Sequence, residues 1–131
     1  MSVSRYARNQ DASASPRDIE LRAFRYVNGL LAAAPERGAA RAVALNKAYR
    51  LWSILLADLL GPGNGLEPGL KGKLVSLGLW AQRECLARTE DAAGLEPLVA
   101  LHRDMIEALE SQPHHAAPAA RPAAAFVPAV A

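Results

Sequence analysis

YRLWSILLADLLGPGN, residues 49–64, is the most apolar run of this 131-residue chain. An aspartate sits near its end, and a Gly-Pro-Gly-Asn turn closes it. A membrane-spanning helix needs about 20 consecutive apolar residues. Here Ser53 and Asp58 interrupt the run and Gly61 stops it, and no other window comes closer to that length. The stretch reads instead as the end of a helix from about Glu36 to Leu60. Leu45, Tyr49, Trp52, Leu56 and Leu59 form one stripe at helical spacing, which Leu51 and Leu55 widen. A helix apolar nearly all round belongs in the middle of a bundle. Gly61 is placed to take the left-handed position after the last turn, and Pro62 blocks continuation.

Three further helices follow on either side. Upstream, Ser15-Pro16-Arg17-Asp18 carries an N-cap, a first-turn proline and a capping-box acid. Ile19, Ala23, Tyr26, Val27, Leu30 and Leu31 then make one apolar stripe, ended by Pro35. Downstream, Pro68 opens a helix to about Ala92 with Leu70, Leu74, Leu77, Ala81 and Cys85 inward. Gly78 on that helix is suited to close approach of a neighbour. After Gly94, LEPLVALHRDMIEALE gives a fourth helix with Leu98, Leu101, Met105 and Leu109 inward. The expected fold is all-α, a small up-and-down four-helix bundle over residues 15–111. Residues 1–14 read as a mobile arm, and the alanine- and proline-rich residues 112–131 as a disordered tail.

Composition agrees with a helical reading. Half the residues are hydrophobic but only 5% are aromatic, which favours helices over strands. Cys85 is the one cysteine, so no disulfide closes within the chain. The N-terminus lacks the apolar region of a secretory signal, and a cytoplasmic location is expected. Net charge is only +2, but residues 1–50 hold nine Lys/Arg against four Asp/Glu. The remainder holds six against nine, an asymmetry expected to draw the two halves together within the fold.

Chemistry is sparse. No nucleophile elbow or P-loop occurs, and GPGNG lacks the lysine and hydroxyl of a phosphate cradle. His114 and His115 have no further ligands at metal spacing. His102 is expected to be a half-exposed bundle residue, and Cys85 to lie in the core. The chain is therefore expected to be no enzyme, with no cofactor, metal or small-molecule substrate. Asp58 sits in a last turn, where the helix dipole disfavours an anion. With Asn64 it is expected to form a structural clamp, held by loop N–H groups of residues 63–65 or by a basic side chain.

YARNQ, SPRDIE, ALNKAYRLWSILLADLLGPGNGL, LVSLGLWAQ and LVALHRDMIEAL, in that order, resemble the FlaF family of flagellar biosynthesis regulators. Asn46, Leu51-Trp52, Asp58, Asn64, Ser76-Leu77 and Trp80 carry the resemblance most specifically. His102, the glycines of EPGLKG and the tail depart from it. The resemblance implies a small cytoplasmic protein that binds flagellin in a chaperone-like way. It also implies a partnership with FlbT, a regulator of flagellin mRNA translation. A partner for a flagellin terminal helix needs an apolar groove with a polar rim. Trp52, Leu55, Asn46 and Arg50 are the expected contributors, with Trp80 from the third helix and Tyr6 and Arg8 from the arm. A competing reading, an RNA-binding regulator using Arg5, Arg8, Arg17, Arg22 and Arg25, ranks below it for want of an RNA-binding motif. A scaffold that pairs with FlbT or with itself ranks third.

Overall fold

The computed structural model describes residues 15–111; the arm, the tail and with them Tyr6 and Arg8 lie outside the described residues. Four helices make up the fold: α1 (Pro16–Ala33), α2 (Ala39–Leu60), α3 (Pro68–Thr89) and α4 (Glu96–Glu110). Local signals set most of their starts. Ser15 Oγ accepts from the Asp18 N–H at 3.1 Å. Asp18 also pairs with the neighbouring Arg17 guanidinium at 2.8 Å. At α3 the Glu67 carboxylate accepts from the Gly69 and Leu70 N–H groups, both at 2.9 Å. Those bonds hold its pKa below the usual carboxylate value.

The up-and-down order is tied by contacts between helix ends. Arg17 Nη1 donates to the Leu109 carbonyl at 2.9 Å, and Asn28 Nδ2 to that of Val99 at 3.3 Å, so α1 and α4 run antiparallel. Between α2 and α3 the crossing is close. A Cβ on Gly78 would stand 2.8 Å from Leu56 Cδ2 and 2.9 Å from Trp52 Cε3. Only glycine lets the two backbones approach this far. Gln82 reaches across the same seam to the Tyr49 carbonyl at 3.1 Å and to Ser53 Oγ at 2.7 Å.

Several expectations need correction. α2 begins at Ala39 rather than Glu36, and α3 ends at Thr89 rather than Ala92. Gly61 is extended at φ −76°, so the turn after α2 does not use a left-handed residue. On α1 the buried side chains are Leu21, Phe24, Val27 and Leu31, whereas Ile19 and Tyr26 are exposed. The sequence offers two overlapping apolar stripes on α1, and packing against α4 selects the one centred on Phe24.

Candidate functional site

Trp52 is the centre of the core, 1% exposed. Its ring meets Phe24 edge-on at 5.8 Å and lies end to end with His102, ring centres 6.1 Å apart and planes at 30°. A buried indole needs an acceptor for its N–H. His102 Nε2 supplies one at 2.9 Å, which assigns the imidazole proton to Nδ1. His102 is fully buried, not half-exposed as its surroundings in sequence indicate, and Nδ1 has no partner. Burial drives its pKa down to about 4, so the ring is neutral at pH 7.

Trp52 and Leu55 therefore do not line a surface groove. Leu55 is 5% exposed, and Phe24 and His102 complete the enclosure around Trp52. Among the described residues the two tryptophan rings make no contact with each other, and Trp80 is half-buried on α3. Asn46 and Arg50 are exposed on the outer face of α2, as a polar rim requires. The expected pairing of that rim with Trp52 fails because the rim and the indole point to opposite sides of one helix.

Surplus apolar surface does exist on α2, at other residues. Val43 and Ile54 are exposed, Ile54 to 68%. Spaced by four, three and four residues, Val43, Lys47, Arg50 and Ile54 share one face. Lys47 Nζ lies 6.0 Å from the centre of the Tyr26 ring, joining this face to α1. The α1 side of the junction is a shallow apolar depression lined by Ile19, Arg22, Ala23 and Tyr26. Tyr26 is 58% exposed. Tyr26 near Lys47 and Glu20 near Asp58 show that α1 and α2 run antiparallel. A second apolar exposure, Leu79 and Leu86, lies on α3.

The Asp58–Asn64 clamp forms, by a different route from the one expected. Asp58 is exposed, and Asn64 Nδ2 donates to its Oδ2 at 3.3 Å. Asn64 Oδ1 accepts from the Leu66 N–H at 3.0 Å, and its carbonyl accepts from Lys71 Nζ at 3.3 Å. Asn64 thereby ties the end of α2 to the start of α3, through its side chain on one side and its backbone carbonyl on the other. Facing Asp58 from α1 is Glu20. Burial first, and the Asp58 charge second, push the Glu20 carboxyl up to about 8. Its Oε1 has no partner.

At the opposite end of the bundle lies a residue that sequence reasoning missed. Arg41 is buried in the first turn of α2. It donates to the Arg88 carbonyl at 3.1–3.2 Å and to the Ala93 carbonyl at 2.7 Å, and Asp91 lies 3.6 Å away. A cation near a helix N-terminus opposes the dipole; that mismatch was the available signal that Arg41 serves the neighbouring helix end. Cys85 is buried, and burial raises its thiol to about 12. Among the described residues no group of three or more His, Cys, Asp or Glu side chains could hold a metal. No described helix is long and apolar enough to cross a membrane.

The family model described as flagellar protein FlaF matches residues 2–109. The chain belongs to the FlaF family. Comparison with curated proteins and with solved structures gives no match. Membership in FlaF makes this a flagellar protein. In this FlaF bundle the α1–α2 strip exposes Tyr26, Lys47, Arg50 and Ile54.

Proposed function

We propose that this FlaF-family chain is a non-enzymatic cytoplasmic regulator of flagellin synthesis and export. In this reading it binds flagellin as a chaperone-like partner and acts with FlbT. The observation that carries the reading is the α1–α2 strip, where Tyr26 and Ile54 stand 58% and 68% exposed on a bundle with a closed core. Contiguous apolar exposure rimmed by polar groups marks a protein-binding surface. A flagellin terminal helix would lay its apolar stripe along that strip, as an amphipathic helix docks in a groove. Asn46 and Arg50 keep the rim role expected from the sequence, while Ile54 and Tyr26 take the place of Trp52 and Leu55.

RNA binding is less well supported. Arg17 is bound to the Leu109 carbonyl and Asp18, and Arg25 is paired with Glu110. Two of the arginines that would meet phosphates are thus engaged within the bundle.

The test is a titration of purified flagellin into the protein. Replacing Tyr26 and Ile54 together by serine is expected to weaken binding at least about tenfold, the loss of roughly 1.4 kcal/mol or more. Replacing Leu79 and Leu86 by serine is expected to leave it unchanged. A folded Tyr26→Ser/Ile54→Ser protein that binds flagellin as the wild type does would overturn the proposal.

A further inference from the structure

On α2 the strip is mixed, with Lys47 and Arg50 lying between the exposed Val43 and Ile54 on one face. Lys47 and Arg50 are both exposed there, and neither lies within 4.0 Å of a carboxylate among the described residues. Three residues apart on a helix, they stand about 4.5 Å apart along its axis. Asp58, at the far end, is held to Asn64. Exposed acids gather on the other helix pair and its connection, for example Asp91, Asp104 and Glu107. The strip is thus more positive than the near-neutral chain as a whole.

We infer that the segment docking on this strip is an amphipathic helix whose apolar stripe is flanked by carboxylates spaced to meet Lys47 and Arg50. The inference rests on the flagellin reading for the client's identity and adds how the client is recognised. Two carboxylates at i and i+3 or i and i+4 on the partner face the same way and match the spacing of the two cations. Ile54 and the Ile19–Tyr26 side of α1 take the apolar stripe. The bases at the rim steer the encounter and exclude basic segments, an effect that salt screens.

The test uses three designed helical peptides of about 18 residues, long enough for a stable helix. They share one leucine stripe and differ only in its flanks: glutamate, glutamine or lysine. Each is titrated into the full chain by fluorescence anisotropy. The glutamate peptide is expected to bind at least about fivefold more tightly than the glutamine peptide, with the lysine peptide weakest. That advantage should shrink as salt rises from about 50 mM to about 500 mM. In a Lys47→Glu/Arg50→Glu protein the order should reverse in favour of lysine. Equal binding of the glutamate and glutamine peptides, or an unchanged order in the folded double variant, overturns the inference. So does a self-associating wild-type chain that the double variant renders monomeric, because the occupant is then a second copy. Failure here is distinguishable from failure of the flagellin reading. A flagellin complex that needs Tyr26 and Ile54 but ignores Lys47→Glu/Arg50→Glu removes the acidic flank and keeps the client. Peptide discrimination without flagellin binding does the reverse.

Discussion

Two titratable side chains, the buried His102 and the half-buried Glu20, set opposing demands on the fold. His102 has a folded pKa near 4, below its ordinary 6.5. Its neutral form is the native one, so its contribution is complete above about pH 6.5 and is lost as pH falls toward 4. Glu20 is the mirror case, with a folded value near 8 against 4.5. Its contribution is complete below about pH 4.5 and is lost as pH rises through 8. Between pH 4.5 and 6.5 the two slopes cancel, and above 6.5 Glu20 acts alone. The expected profile of unfolding free energy is therefore level from about 4.5 to 6.5 and falls from there to about 8. Urea titrations at a series of pH values check this. Glu20→Gln should remove the alkaline fall, leaving a rise from 4.5 to 6.5 worth up to about 3 kcal/mol at 1.4 kcal/mol per pKa unit. A variant whose profile matches the wild type would show that Glu20 titrates normally. His102 itself was illegible in the sequence, since a lone helical histidine usually stays at the surface. The demand of a buried Trp52 N–H for an acceptor was the only pointer to it.

Helix α3 carries two glycines that look alike in sequence and differ in the fold. Gly78 faces Trp52 and Leu56 at distances no Cβ tolerates, whereas Gly72 has nothing within 4 Å. Gly72→Ala is expected to stabilise by up to about 1 kcal/mol, the helix-propensity difference. Gly78→Ala forces α2 and α3 apart, and overpacking of that kind costs about 1–3 kcal/mol, outweighing the same propensity gain. Thermal melts of the two variants should move in opposite directions, and a rise for both would deny the close crossing. The starts of α1 and α3, the break after α2 and the role of Gly78 were all readable, because each depends on a few adjacent residues. The inward face of α1 was readable only in part, since Val27 and Leu31 are buried as expected but Ile19 and Tyr26 are exposed. Ile19, Tyr26 and Leu30 repeat at helical spacing as well as Leu21, Phe24 and Leu31 do. The choice between the stripes is made by α4, whose His102 and Val99 meet Phe24 and Asn28. The candidate site shifted for the same reason. Asn46 and Arg50 were correctly placed at the surface, but a helix apolar nearly all round does not reveal which of Trp52 and Ile54 turns outward.

Across the whole molecule, the uneven charge of the chain is only partly used in holding it together. Arg25 pairs with Glu110, and Arg41 lies near Asp91, joining the basic first half to the acidic second. Lys47 and Arg50 stay outward beside Ile54 and Tyr26. A closed core around Trp52 and an open basic-apolar strip on α1 and α2 are the division of the molecule on which the proposed function rests. Side-chain footprinting with hydroxyl radicals, with and without flagellin, tests that division most directly. The predicted result is protection on binding at Tyr26 and Ile54, with Trp52 unreactive in both states and Leu79 and Leu86 equally reactive in both. Protection confined to Leu79 and Leu86, or a Trp52 that is reactive in the free protein and shielded by flagellin, would contradict it.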